Sequence, residues 1–459
     1  MRGQVTPTTG VLTYRMKVTE IGFNPKPFVR CDVEIILNGK VIVHFKDLGL
    51  QLSDKNSAQA IAPEQLLSLA PYPAQAPRKS ALLTEDQIAE FCTGELAKCF
   101  GSEYAIYDQG TVKASRMPNT HLNVVSRILA VEGARHQITK GSAIVTEYDV
   151  PLNPWYYRQN AAKTLPYSIL MEMALQPCGF LSAYLGTTLM FPDKSLYFRN
   201  LDGKGHVLKD IDLRRKTITN RSILLSSSNV QGMIIQNFEF QMHCEGELFY
   251  TGTAAFGHFS SEALANQVGL DRGQTVSPWH EVTDHHLPVI MRSLETPESR
   301  AKFYRVDLER PHYRLAEHQL NLLHQVTLIP NGGLHSKGYI FAQKQVHPSD
   351  WFFKCHFKDD PVMPGSLGIE AMLQAMQVYA LEMDLGKHLK SPTFKPLIDH
   401  ATTWRYRGQI PHGQIDMSLE VHLTQVETAS DHVIIVGDAS LWRSKLRIYE
   451  VKNLAIMLC

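Results

Sequence analysis

The sequence predicts an α+β protein in which one unit occurs twice, each unit a long apolar helix wrapped by antiparallel strands. Three observations predict it. The first is an internal repeat: WYYRQNAAKTLPYSILMEMALQ from Trp155 parallels WFFKCHFKDDPVMPGSLGIEAMLQ from Trp351. Pro166, Glu172 and Gln176 match Pro364, Glu370 and Gln374, each pair 198 residues apart (364 less 166). LNVVSRI from Leu122 matches LNLLHQV from Leu320 at the same spacing, whereas Trp155 and Trp351 stand 196 apart, so the intervening loop is two residues shorter in the first copy. The second is periodicity: Ile369, Met372, Leu373 and Met376 recur at i, i+3, i+4 and i+7, which predicts a helix with one buried apolar face. The third lies downstream of each helix. LYFRNL from Leu196 parallels TFKPLI from Thr393, and β-rich runs, SILLSSS and EVHLTQV, come after them.

Taken in order, the chain opens on an incomplete unit. Arg2-Gly3-Gln4-Val5 resembles Arg407-Gly408-Gln409-Ile410, and FKDLGLQL ending at Leu52 resembles VKNLAIML ending at Leu458. Residues 1–52 therefore read as the last strands of a preceding unit without its helix, and the chain reads as a piece of a longer polypeptide. Residues 53–80, rich in Pro and Ala, read as a linker. Thr84 caps a helix expected over TEDQIAEFCTGELAKCF. The first complete unit is placed at 81–270 and the second at 271–459. Pro177, inside the first long helix, should kink it.

Composition narrows the function classes. A net charge of +1 gives no general case for nucleic acid or a membrane surface, and 44% hydrophobic with 20% charged residues is ordinary for a globular chain. Seven scattered cysteines without a CxxC suggest reduced thiols and a cytoplasmic setting. No stretch approaches the ~18 apolar residues of a membrane span, and MRGQVTPTTG lacks the apolar region of a signal peptide.

The chemistry concentrates in residues 350–380. The helix that opens at Gly365 presents N–H groups without intrahelical partners at the positive end of its dipole, where a carbonyl oxygen would be polarised. Gly365 leaves room for a substrate to approach. His356 suits a general base, and a glutamate in an apolar pocket, with its pKa raised by desolvation, suits a general acid.

The string HFKDDPVMPGSLGIEAM closely resembles the signature of hotdog-fold β-hydroxyacyl-ACP dehydratases, above all the FabA-like 3-hydroxydecanoyl-ACP dehydratase/isomerase type. The resemblance implies that His356 and Glu370 occupy the motif positions of the catalytic pair. The decanoyl branch has Asp where this chain has Glu370, which leaves isomerisation open. Two consecutive hotdogs behind a hotdog tail resemble the dehydratase region of polyunsaturated fatty acid synthases. The implied reaction is dehydration of a 3-hydroxyacyl thioester to a trans-2-enoyl thioester, with the substrate on the phosphopantetheine of an acyl carrier protein and no cofactor. The implied partners are that carrier and other synthase domains, with no nucleic acid or membrane; a homodimer is left open.

The two copies are not equivalent. The first has Asn160 where the second has His356, and Tyr167 where the second has Gly365. Asn supplies no general base and Tyr fills the substrate's space, so the first site reads as degenerate. In dimeric relatives, as the resemblance implies, His comes from one subunit and the acid from the helix of the other. Fused copies forming a pseudo-dimeric double hotdog should then set His356 against Glu172, and Glu370 against Asn160. Glu370 remains the alternative acid. Cys355 beside His356 reads as packing, since strand neighbours point to opposite faces; His285, His286, His312 and His318 lack partners at metal-ligand spacing. The alternative functions are a hotdog acyl thioesterase and a non-catalytic acyl-binding or scaffold module.

Overall fold

The computed structural model describes residues 11–22, 27–51, 80–230 and 232–459. Most of the expected linker and the Arg2–Val5 motif lie outside them. The chain divides into two compact units, Met1–Arg78 and Lys79–Cys459. Among the described residues no helix is long and apolar enough to cross a membrane.

In the first unit β1 (Leu12–Gly22), β2 (Phe28–Leu37) and β3 (Lys40–Gln51) form an antiparallel sheet in that order. Its irregularities repeat those of the last three strands of the chain, β15 (Ile415–Thr428), β16 (Val433–Arg443) and β17 (Leu446–Leu458). The β1–β2 bulge at Val18/Glu20 corresponds to Leu423/Gln425, and the β2–β3 breaks at Cys31/Val33 and Ile35/Ile36 correspond to Gly437/Ala439 and Leu441/Trp442. Asp32 Oδ1 accepts the N–H of Asp47 at 2.9 Å, as Asp438 Oδ1 accepts that of Asn453 at 3.1 Å. Bulges re-aim side chains and are specified locally, so three shared bulges mark one sheet design used twice. Tyr14, Met16 and Phe45 are exposed, whereas their counterparts Leu419, Val421 and Val451 are buried around the second long helix.

The second unit is built on one 14-stranded antiparallel sheet. The first hotdog supplies β4 (Arg127–Glu132), β5 (Ala143–Asp149), β6 (Tyr197–Val207), β7 (Thr217–Val230), β8 (Met233–Cys244) and β9 (Glu247–Phe259). The second supplies β10 (Ile290–Ser293), β11 (Gln325–Ile329), β12 (Tyr339–Val346), β13 (Phe394–Pro396), β14 (His400–Tyr406) and β15 to β17. The order β10-β11-β12-β15-β16-β17-β14-β6-β9-β8-β7-β5-β4 shows two half-sheets joined where β14 pairs with β6, and β13 pairs β17 off this path.

Each half-sheet wraps its own helix, α1 (Tyr167–Tyr184) or α2 (Gly365–Glu382), and the two helices also touch each other. This corrects the expectation of a single apolar face. Residues all round both helices are buried, because sheet covers one side and the partner helix the other. The helix α1 runs unbroken through Pro177. The helix expected after Thr84 divides at Gly94 into Glu85–Thr93 and Leu96–Phe100.

Matching bonds recur within each copy, and reciprocal ones pin the copies together. Gln176 Nε2 donates to Leu122 O at 2.7 Å and Gln374 Nε2 to Leu320 O at 2.8 Å, so each helix holds the segment before its own sheet. The Asn119 N–H donates to Cys355 O and the Glu317 N–H to Gln159 O, each crossing between copies. Trp155 and Trp351 meet edge to face with ring centroids 5.1 Å apart. Such reciprocity is the mark of a two-fold interface.

The seam between half-sheets is tight at Gly203, which pairs with Trp404. A Cβ there would lie 2.1 Å from Trp404 Cζ2. Gly203→Ala should therefore destabilise the fold by about 1–3 kcal/mol through overpacking, read as a lower urea midpoint.

Candidate active site

Pro364 caps α2, so Gly365 and Ser366 are its first residues and their N–H groups have no intrahelical acceptor. An added Cβ at Gly365 would come within 2.8 Å of Tyr406 Cε2. Glycine is thus required by the ring of Tyr406 as well as by any arriving substrate.

The loop before α2 carries the histidine. Trp351–Lys354 is a single 3-10 turn anchored by Trp351 Nε1 on Gln319 O at 3.1 Å. Cys355 and His356 come directly after this turn and lie in no strand, which corrects the strand argument for their orientation. The Cys355 thiol bonds back to Phe352 O at 3.5 Å, and burial pushes its pKa up to about 12, so it is packing. His356 is clasped across its loop: the Val362 N–H donates to His356 O at 2.8 Å, and His356 Nδ1 lies 3.0 Å from Val362 O. A carbonyl can only accept, so Nδ1 carries the proton and Nε2 holds the free lone pair. Burial, helped by the positive charge of Arg199, pushes the His356 pKa down to about 3, so the ring is neutral near pH 7.

Glu172 projects from α1 of the other hotdog and is 8% exposed. Its Oε1 accepts from Ser366 Oγ at 2.6 Å and its Oε2 from Gln176 Nε2 at 2.9 Å. Burial raises its pKa, and those two donors pull it partly back. The Ser366 hydroxyl can donate to a carboxylate or accept from a carboxylic acid, so it serves either protonation state.

Glu172, His356, Gly365 and Ser366 line one cavity of about 130 Å³, with Met171, Leu175, Gly179, Phe198 and Phe256 along its apolar wall. Glu370 lies elsewhere, in a smaller cavity of about 60 Å³ with Asn160 and Tyr167. The second cavity keeps the scaffold and the carboxyl of the first but lacks its histidine and its glycine. Asn160 Nδ2 donates to Thr164 O at 2.8 Å, the counterpart of the His356 to Val362 bond, yet Asn has nothing equivalent to Nε2. Glu370 Oε2 takes the helix-start N–H of Ser168 at 2.8 Å, so a donor matching Ser366 N–H is already used. Tyr167 fills the place of Gly365.

Two features escaped the sequence reading. Arg199, on β6 of the first hotdog, forms two bonds of 2.6 and 2.7 Å with Asp360 in the His356 loop, and its Nε donates to Gln409 at 2.6 Å. The complete site is thereby tied across the copies, and Asp360 stands where the first copy has Ala162 at the 198-residue spacing. The second is register: Phe198 and Arg199 line the first cavity where Phe394 and Lys395 line the second, a spacing of 196 (394 less 198). The alignment of LYFRNL with TFKPLI is one residue out, and in a strand one residue reverses the faces.

Residues 315–452 match a family model described as FabA-like domain. Together with the helix, loop and cavity above, this match makes the second hotdog similar to a FabA-like domain over those residues. The chain as a whole is similar to a polyunsaturated fatty acid synthase subunit from Thraustochytrium sp., 30% identical over a 579-residue alignment that takes in 99% of this chain. It spans 38% of that relative's length. Among solved structures, the dehydratase domain from the CurJ module of the Curacin polyketide synthase aligns at 10% identity and TM-score 0.37, over 73% of this chain and 97% of that one. An acyl-ACP thioesterase from Bacteroides thetaiotaomicron aligns at 9% identity and TM-score 0.35, over 69% and 98%. At TM-scores below 0.5 neither adds to the strand order and helix packing described above.

Proposed function

We propose that the cavity shared by His356 and Glu172 dehydrates 3-hydroxyacyl thioesters to trans-2-enoyl thioesters, with the acyl group carried on the phosphopantetheine of an acyl carrier protein in a polyunsaturated fatty acid synthase. The observation that carries this reading is one cavity holding a neutral imidazole with a free Nε2, a carboxyl whose pKa burial raises, and the start of a helix. His356 Nε2 takes the C2 proton. The electron pair left on C2 is delocalised into the thioester carbonyl, whose oxygen receives the Gly365 N–H. As the C2–C3 double bond forms, the C3–O bond breaks and the hydroxyl leaves as water with the proton of Glu172. The proton on His356 then passes to Glu172, directly or through solvent, restoring the site. Base, acid and oxyanion donor are all groups of this chain, and the reading calls on no cofactor. Glu370, with Asn160 and Tyr167 around it, has no base to work with.

The test is incubation of the chain with a 3-hydroxyacyl thioester. Enoyl absorbance is the expected result, and chromatography of the products reads the position of the double bond. Release of free thiol without enoyl would indicate a thioesterase instead, and no turnover with tight acyl binding would indicate a scaffold module.

A further inference from the structure

Tyr406 stands at the end of β14 and is 6% exposed, and its hydroxyl is buried with no hydrogen-bond partner. A buried, unpaired hydroxyl is costly, so one that persists needs a reason. Its place supplies one. Tyr406 lines the cavity of Glu172 and His356, and its Cζ lies 3.1 Å from where a Cβ of Gly365 would be, which sets the hydroxyl beside the start of α2. The ring is fixed by Tyr449, with centroids 4.4 Å apart. The other orphaned atom on this wall, Gln267 Oε1, lies beside Gly408, and an oxygen of that kind can only accept.

The incomplete copy lacks this hydroxyl. β14 pairs Tyr406 with Tyr449, and β6 pairs Val207 with Tyr250. Valine therefore occupies the matching position on the side that also lacks the histidine.

We propose that Tyr406 is a further catalytic residue, whose hydroxyl donates to the thioester carbonyl oxygen together with the Gly365 N–H. The unpaired O–H acquires its partner when substrate arrives, and the bond strengthens as charge moves onto that oxygen. The inference rests on the dehydration reading, because it assigns the carbonyl to the same end of the cavity.

Tyr406→Phe removes one oxygen and keeps the ring that packs on Gly365 and Tyr449. The expected result is kcat lower by about 10²-fold, the range for loss of one oxyanion donor, with KM for a 3-hydroxyacyl N-acetylcysteamine thioester changed less than about threefold. The urea midpoint should stay level or rise, since the variant loses an unpaired buried group. A purely structural hydroxyl would behave in the opposite way, lowering the midpoint and sparing kcat, and that result would overturn the proposal. So would a kcat within about threefold of the parent. A parent chain that forms no enoyl would sink the proposed function. The assignment of Tyr406 would then be decided by the infrared stretch of a bound thioester labelled with ¹³C at the carbonyl: a red shift that shrinks in Tyr406→Phe supports it, and identical spectra overturn it.

Discussion

His356→Ala is expected to lower enoyl formation by roughly 10²–10⁴-fold, the contribution of a positioned general base. The loop should survive the change in outline, because Phe352 O still holds the residue 356 N–H and Arg199 still holds Asp360. Asn160→Ala makes the matching cut in the incomplete cavity: it too removes a loop hydrogen bond, there to Thr164 O. Its turnover should stay within about twofold of the parent. Steady-state rates on one 3-hydroxyacyl thioester check both variants. Equal losses in the two would mean that the second cavity turns over substrate, and an active, folded His356→Ala would remove His356 from the chemistry.

Glu172→Gln should be nearly as damaging, again by roughly 10²–10⁴-fold, since an amide keeps the shape and accepts from Ser366 but has no acidic proton to give. Glu370→Gln should stay within about twofold, because an amide oxygen can still take the Ser168 N–H. The pH profile separates this reading from a structural one. With its pKa pushed down to about 3, His356 stays neutral and competent as the solution is acidified to about pH 4, so the rate should be flat there. Glu172 has a raised pKa and is the proposed proton donor, so the rate should fall as pH rises through that value. In Glu172→Gln the fall at high pH should vanish along with most of the rate. A parent profile that rises with pH would contradict the assignment of the acid.

The fold was legible where the sequence repeats itself. Matching Pro, Glu and Gln at one spacing placed both central helices, and breaking that match at Asn160 and Tyr167 separated the two cavities. What stayed hidden depended on register and on contacts between copies. Apolar spacing on α2 suggested one buried face, because periodicity records what a helix presents to a single neighbour and not that a second helix closes the other side. The LYFRNL alignment slipped by one residue because short strands tolerate either phase until their partners are known. Arg199 and Asp360 are far apart in sequence and only the two-fold arrangement brings them together. Their one signal was asymmetry, Asp360 standing against Ala162 at the 198-residue spacing. Tyr406 gave none, since an orphaned hydroxyl can be recognised only when everything around it has been placed.

The seam at β6 and β14 joins two halves that are written separately. In a symmetric dimer any substitution lands on both sites at once, so a change that improves one wall of a cavity is imposed on its twin. Here one loop carries Asn160 and the other His356, and Val207 stands on one side where Tyr406, with its unpaired hydroxyl, stands on the other. On the proposed function, one half is free to become scaffold and the other catalyst. The chain should accordingly take up one equivalent of a tight, unreactive acyl thioester, and not the two its shape suggests.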